Sequence, residues 1–162
     1  MENSIKKSVV GYLMSWTNSP INFMAQIEKD LCDHQKKIAT DALRGVIEAS
    51  PVDTGAFKGN HRLSINSRDM GFDANSSDKT GSSTLAKGLS TLSQLVPFST
   101  VYIQNNAPYG PALEYGGYPN PVKNGSWVKG KGYVIKSVGG FSKQAPLGIY
   151  GVTFTLIKEK YK

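Results

Sequence analysis

The feature that most constrains this fold is a long amphipathic segment that runs from Pro20 to Ala49. Ser19 offers a capping hydroxyl and Pro20 suits the first helical position, whereas the residue before Pro51 disfavours helical angles. Between these limits, apolar residues recur at spacings of three, four or seven. They are Met24, Ile27, Leu31, Ile38, Ala42, Val46 and Ala49. The pattern predicts one long helix whose apolar stripe packs against a second layer.

Three later segments carry the patterns of β-strands. Residues 60–67 and 99–106 alternate apolar and polar side chains, as half-buried strands do. Residues 148–160 alternate less regularly, and we expect them to form the closing strand. The apolar positions of that segment are Ile149, Val152, Phe154 and Leu156.

Shorter elements connect the strands. Leucines fall on one helical face in residues 84–95, with Thr84 as the expected cap and Pro97 as the stop. A single helical turn is expected at residues 111–115, and residues 68–83 form a polar loop. The fold class expected is α+β, in which the long helix packs on a small antiparallel sheet, with a short second helix and long loops.

Length and composition indicate one domain. The chain has 162 residues, of which 39% are apolar, enough to bury a core. We expect an N-terminal extension at residues 1–19 and a single domain at residues 20–162, with an inserted loop or hairpin at about 117–140. One cysteine, Cys32, excludes an internal disulfide. Neither a signal peptide nor contact with a membrane is expected, because Glu2 interrupts the basic start and apolar runs are short.

The stretch SPVDTGAF, residues 50–57, contains the Asp-Thr-Gly tripeptide of aspartic proteases. That chemistry needs two aspartates about 3 Å apart that share a proton. Here the motif follows a long helix and a proline, a setting that favours a turn formed by Pro51, Asp53, Thr54 and Gly55. In this interpretation Asp53 accepts hydrogen bonds from nearby backbone N–H groups, and Asp53→Ala costs about 1 kcal/mol. We expect no catalytic residue.

No other segment predicts a metal or cofactor site. His34 and His61 lack carboxylates at ligand spacing, apart from the adjacent Asp33, and surface or internally satisfied roles are expected for both. Residues 73–78 are rich in oxygen ligands, yet they lack the glycine and glutamate of an EF-hand calcium loop. No cofactor is expected.

The positive charge is concentrated near the C-terminus. The net charge is +7, and residues 118–162 hold eight lysines against Glu159 alone. Aromatic side chains alternate with these lysines, as in proteins that stack single-stranded bases, although a solvated face explains the lysines equally well. The aromatics are Trp127, Tyr133, Phe141 and Tyr150, and the lysines that could contact DNA or an acidic partner are Lys123, Lys129, Lys131, Lys136 and Lys143.

Four segments, taken in order, resemble the tail-completion and neck proteins of long-tailed bacteriophages, the group that includes the lambda minor tail protein Z. The resemblance covers roughly residues 20–116 and 140–158, and residues 117–140 depart from it. The segments are residues 49–65, 81–92, 101–116 and 139–154, and the first contains the Pro51–Gly55 turn after the long helix. The remaining motif positions are Asn105, Asn106, Pro108, Tyr109, Leu113, Glu114, Gly116, Ser142, Gln144, Ala145, Pro146 and Gly148.

The resemblance implies a structural virion protein, not an enzyme. Relatives form a ring, of six copies, at the head–tail junction, where it meets the tail tube or tail terminator protein and the head–tail connector. Such a protein is assembled in the host cytoplasm, and its lysines could contact passing DNA without reading sequence. Glu114 has two candidate roles here: it satisfies backbone groups of its own chain, or it pairs with a lysine of the next subunit. The alternative function is a nucleic-acid-binding module that uses the lysine-rich aromatic segment.

Overall fold

A computed structural model describes residues 19–162, and the fold is α+β as expected. The predicted extension therefore lies outside the described residues, apart from Ser19. The helices are α1 (Pro20–Ala49), α2 (Ala56–Gly59), α3 (Ser82–Leu92), α4 (Gly110–Tyr115) and α5 (Tyr150–Lys160). The strands are β1 (His61–Ile65), β2 (Val101–Asn105), β3 (Ser126–Val128), β4 (Gly132–Val134), β5 (Ser137–Val138) and β6 (Phe141–Ser142).

The strands form three antiparallel pairs. In the central pair, β1 lies beside β2 with Leu63 opposite Ile103. The other pairs, β3 with β4 and β5 with β6, lie within and just after the segment predicted to be an inserted loop or hairpin. No helix among residues 19–162 is both long enough and apolar enough to cross a membrane.

The long helix has the predicted bounds, but its buried face differs from the predicted stripe. Its buried residues are Cys32, Ala39, Leu43, Val46 and Ile47. On a helical projection these lie about 100° from the predicted stripe, with Val46 at the shared edge. Stripe members Met24, Ile27 and Leu31 remain 61%, 42% and 50% exposed. The helix therefore has two apolar faces, and the core of this chain covers only one.

The expectation of a closing strand at residues 148–160 is wrong, because α5 occupies it. Thr153 packs against α1 where Gly45 leaves space, and a Cβ on Gly45 would lie 2.7 Å from Thr153 Cγ2. At the far end, Asp41 of α1 accepts hydrogen bonds from Lys160 Nζ at 2.7 Å and from the Tyr161 hydroxyl at 2.6 Å. The β-branched and aromatic residues of this segment favour a strand locally, but contacts with α1 determine a helix.

The predicted cap of α3 is also different. Thr84 is 4% exposed and lies inside the first turn rather than before it. Gly81 is the N-cap residue, and the Asp78 carboxylate supplies the acceptor: it accepts hydrogen bonds from the backbone N–H of Gly81 and of Thr84, each at 2.8 Å. Although burial alone would raise it, these hydrogen bonds and those from the Thr84 and Thr80 hydroxyls hold the pKa of Asp78 below its ordinary value.

A buried polar chain joins α1, β1 and α5 through His61. The Ser50 hydroxyl donates to the Val46 carbonyl at 2.6 Å, so its oxygen accepts from His61 Nε2–H at 2.7 Å. The other ring nitrogen, Nδ1, accepts from the Tyr150 hydroxyl at 2.8 Å. This arrangement satisfies a neutral imidazole. Burial, and to a smaller extent the charge of Lys58, lower the pKa of His61 to about 3.

The His61 chain predicts a loss of stability in mild acid. The folded-state pKa of about 3 lies below the unfolded value of about 6.5, so the unfolded chain binds the extra proton between these limits. The free energy of unfolding should fall by about 2 kcal/mol from pH 7 to pH 5, above the range where carboxylates titrate. Urea denaturation at both pH values measures this difference.

The two histidines provide the comparison. His61→Gln should be less stable at pH 7 but should lose most of the pH dependence. His34→Gln should keep the pH dependence, because His34 packs edge-on against the Tyr161 ring and takes no part in the hydrogen bonds of His61. A wild-type protein equally stable at both pH values would contradict the assignment.

Candidate functional site

The Pro51–Gly55 turn is built mainly by Thr54 and Gly55. Thr54 Oγ1 accepts a hydrogen bond from the Ala56 N–H at 3.3 Å. Gly55 adopts φ +91°, and its carbonyl accepts hydrogen bonds from Gly59 N–H at 2.9 Å and Asp78 N–H at 3.2 Å. The turn thus leads into the one-turn helix α2 before β1 begins.

Asp53 lies in this turn but does not have the bonding expected of it. Its side chain is 79% exposed, and Oδ2 lies 3.2 Å from Lys136 Nζ. Within residues 19–162, Lys136 is the donor to this carboxylate, and no backbone N–H donates to it. The residue therefore contributes a surface ion pair rather than the turn geometry.

Gln144 attaches the last motif segment to the turn. Its side-chain Oε1 accepts from Val52 N–H at 2.8 Å, and its Nε2 donates to the Val52 carbonyl at 3.1 Å. The amide thus pairs with both backbone groups of one residue, as a neighbouring strand would. Within the same segment Ser142 Oγ accepts from Gln144 N–H at 3.3 Å, Ala145 is buried, and Pro146 is exposed.

The two motif asparagines, at the end of β2, bond to α2 and to the loop after β1. Asn105 Nδ2 donates to the Phe57 carbonyl at 2.8 Å, and its Oδ1 accepts from Ala107 N–H at 3.0 Å. Asn106 Nδ2 donates to the carbonyls of Asp69 and Gly71, at 2.8 and 2.9 Å. The exposed Pro108 follows, and the Tyr109 ring lies 5.9 Å from that of Phe57.

Glu114 joins α4 to the start of α5. Its Oε2 accepts from the N–H groups of Ile149 and Tyr150 at 2.8 and 2.9 Å, and its Oε1 accepts from Gly151 N–H at 2.8 Å. A carboxylate at a helix N-terminus satisfies unpaired donors and interacts favourably with the helix dipole. Of its two candidate roles, the contacts in residues 19–162 are those of an intrachain cap.

Two motif glycines and a leucine complete this junction. Gly148 adopts φ +79°, and a Cβ there would lie 2.7 Å from the Glu114 carbonyl oxygen. Gly116 ends α4, and Leu113, 4% exposed, anchors that helix in the core. The backbone before α5 can therefore approach the end of α4 this closely only because Gly148 has no side chain.

These segments line one cleft with a volume of about 320 Å³. The turn forms one wall, α4 contributes Leu113 with Tyr109 just before it, and Ser142 and Gln144 form another wall. Of the five lysines singled out from the sequence, Lys136 alone lines the cleft. The other four are exposed outside it: Lys123, Lys129, Lys131 and Lys143. The cleft thus has both apolar and polar walls, with a Lys136–Asp53 ion pair among its lining residues.

No group of three or more histidine, cysteine, aspartate or glutamate side chains in residues 19–162 is arranged to hold a metal ion. In the oxygen-rich stretch 73–78, Asp73 Oδ1 accepts from Asn75 N–H at 2.9 Å, while Asp78 caps α3. Cys32 is buried, and its thiol donates to the Leu95 carbonyl at 3.1 Å.

Asn60 is a structural residue that sequence reasoning missed. It is 1% exposed; its Nδ2 donates to the carbonyls of Ala56 and Asp73, and its Oδ1 accepts from Asp73 N–H, each at 2.8 Å. The signal available was a short polar residue at the start of a predicted strand, a feature that many exposed positions share. Its importance depends on the loop that folds over it.

Removing the Glu114 cap should destabilise the protein. Glu114→Ala leaves three N–H groups at the start of α5 without their acceptor, which we expect to cost about 1–2 kcal/mol of unfolding free energy in urea denaturation. Glu159→Ala is the matched control, because Glu159 is 59% exposed and pairs only with Lys162 among the described residues. That control should change stability by less than about 0.5 kcal/mol. Equal effects of the two substitutions would refute the capping role.

In the turn, we expect the glycine to matter more than the aspartate. An added Cβ on Gly55 would lie 2.7 Å from the Lys79 backbone nitrogen, at a φ that side chains rarely adopt. Gly55→Ala should therefore cost about 2 kcal/mol or more, whereas Asp53→Ala should cost about 0.5 kcal/mol or less. Thermal and urea unfolding measure both, and the reverse order would show that the carboxylate determines the turn.

Comparisons of this chain with models of protein families, with curated proteins and with solved structures found no match. The resemblance described from the sequence rests on the four motif segments and their order. The structure adds the contacts among those segments: Gln144 with Val52, Asn105 with Phe57, and Glu114 with the start of α5.

Proposed function

We propose that this protein is a structural subunit of a bacteriophage virion that forms a ring at the head–tail junction. In this role it joins the tail tube, or the tail terminator protein, to the head–tail connector, and it is not an enzyme. The place in the virion, and a ring of six copies, come from the motif resemblance. The assembly itself is supported by surfaces that this chain leaves uncovered.

The observation that carries the proposal is the uncovered first part of α1. Every residue from Ser19 to Leu31 is exposed, so this end of the helix projects from the domain by about 18 Å. Ile21, Met24 and Leu31 there are 76%, 61% and 50% exposed. Contiguous exposed apolar surface of this kind is typical of protein–protein interfaces.

The position of α5 explains why the stripe is covered only in part. Near the C-terminal half of α1, α5 packs beside the stripe, and Ile38 and Ala42 are half-buried there. The last aromatic residue after α5, Tyr161, lies against His34. The stripe continues beyond that point toward Pro20, and a neighbouring subunit would cover it.

A closed ring needs a second, different surface on each subunit. We assign it to Tyr115 and Leu147, which are 81% and 76% exposed. Tyr115 directly follows Glu114, and Leu147 directly precedes Gly148. The backbones of Glu114 and Gly148 approach closely. The motif residues thus order the two short segments that present this apolar pair to the α1 stripe of the next subunit.

Charge substitutions on the stripe test the assembly. Ile27→Glu with Leu31→Glu should abolish oligomers in size exclusion with light scattering, and should also abolish addition to purified tail tubes. Both side chains lie outside the core, so the melting temperature of the monomer should change little. Tyr115→Ser with Leu147→Ser should have the same effect on assembly from the other surface.

Lys29→Glu is the matched control, because Lys29 lies on the opposite side of the same part of α1. It introduces a negative charge away from the stripe, and assembly should persist. A wild-type protein that stays monomeric at high concentration and also fails to add to tail tubes would overturn the proposed function. Assembly that survives both pairs of substitutions would overturn the assigned surfaces.

A further inference from the structure

The β3–β4 hairpin holds two large aromatic side chains in solvent. Trp127 and Tyr133 are directly opposite in the strand register, and their ring centroids lie 5.4 Å apart at an interplanar angle of 70°. They are 67% and 74% exposed. Because the rings meet edge to face, each keeps an uncovered face. Val128 and Val134, whose side chains point to the opposite face of the hairpin, are half-buried.

Lysines adjoin this aromatic pair, and no acidic residue lies near it in sequence. Lys129 and Lys131 stand on either side of Gly130 at the hairpin tip, two residues from Trp127 and from Tyr133 respectively. No aspartate or glutamate occurs between Tyr118 and Lys158. Within residues 19–162, Lys136 pairs with Asp53, but Lys129 and Lys131 form no ion pair.

The four aromatics noted in the sequence are not equivalent in the structure. The Tyr150 hydroxyl donates to His61, and Phe141 is half-buried beside Gly116. Trp127 and Tyr133 alone among these four are more than half exposed. The aromatic and basic character of the C-terminal segment therefore converges on one hairpin.

We propose that the exposed face of the β3–β4 hairpin binds single-stranded nucleic acid, with bases stacked on Trp127 and Tyr133 and phosphates held by Lys129 and Lys131. Aromatic rings in a positive groove are how single strands are bound without sequence preference. Duplex DNA fits less well, because its bases are stacked inside the helix and offer no free face. A protein partner would suit the two rings, which are enriched at protein interfaces, but it fits the lysines less well, since lysine is depleted there.

The proposed binding is a property of one chain and does not depend on the ring. The binding probe is fluorescein-labelled dT15, followed by anisotropy at several salt concentrations. A parallel measurement uses Trp16→Phe, which leaves Trp127 as the sole tryptophan, so that stacking appears as quenching of its fluorescence. We expect salt-dependent binding and quenching of Trp127 by unlabelled dT15.

Two pairs of substitutions separate stacking from charge. Trp127→Val with Tyr133→Val keeps β-propensity and should weaken dT15 binding at least about tenfold without changing its salt dependence. Lys129→Gln with Lys131→Gln should lower the slope of log affinity against log salt by about 1.4, that is about 0.7 for each phosphate contact. The controls are Phe154→Val, an exposed aromatic on α5, and Lys29→Gln with Lys37→Gln on α1; both should bind as wild type.

Several results would overturn the proposal. One is equal binding of dT15 by all these variants when circular dichroism shows that they are folded. Another is a 15-base-pair duplex that binds as tightly as dT15 and leaves Trp127 fluorescence unchanged, since this would indicate charge attraction alone. Quenching of Trp127 by polyglutamate as strong as that by dT15 would assign the hairpin to an acidic protein surface instead.

Discussion

The position of α5 in the fold depends on one carboxylate, that of Glu114. Glu114 accepts hydrogen bonds from three successive N–H groups at the start of α5, and those donors lie 35 to 37 residues further along the chain. Through this contact α4 determines where α5 begins and how it enters the layer beside α1. Gly148, with φ +79°, lets the two backbones meet. The packing of α5 on α1 and the placement of the exposed pair Tyr115 and Leu147 both involve this junction.

Elements whose signals lie within a short window could be predicted from the sequence. The bounds of α1 match because a proline at each end and a regular apolar repeat are local signals, although the Ser19 side chain makes no capping hydrogen bond. The strands β1 and β2 were predicted for the same reason, from alternation within five to eight residues. The overall α+β class then followed, since a long apolar helix needs a sheet or another helix to cover it.

Elements decided by distant contacts could not be predicted. Residues 150–160 have strand-favouring side chains, and their helical form depends on Gly45, Asp41 and the Glu114 cap. The buried face of α1 lies about 100° around the helix axis from the predicted stripe, the angle between successive residues. Periodicity shows that an apolar stripe exists but not which layer covers it. Both errors have one physical source. Contacts with residues distant in sequence override the local preferences of a segment.

The candidate site shows the same division between local and distant information. The Asp-Thr-Gly motif predicted the position of the turn. Thr54 and Gly55 form it, whereas the exposed Asp53 side chain pairs with Lys136. The partners of Gln144 and Asn105 lie 92 and 48 residues away, so their roles were invisible in sequence. Asn60, fully buried and bonded to residue 73, carried no distinctive pattern at all.

Two uncovered regions remain on different elements, and they differ in chemistry. The stripe on α1 is apolar and belongs to a helix whose first twelve residues are all exposed. A helical segment that short is marginal on its own and persists because it continues a packed helix. Its rigidity suits a partner surface that must be met in one orientation. The β3–β4 hairpin instead combines rings with unpaired lysines, which suits a flexible polyanion. The two proposed partners differ in chemistry and would bind different elements, so one subunit could hold both at once.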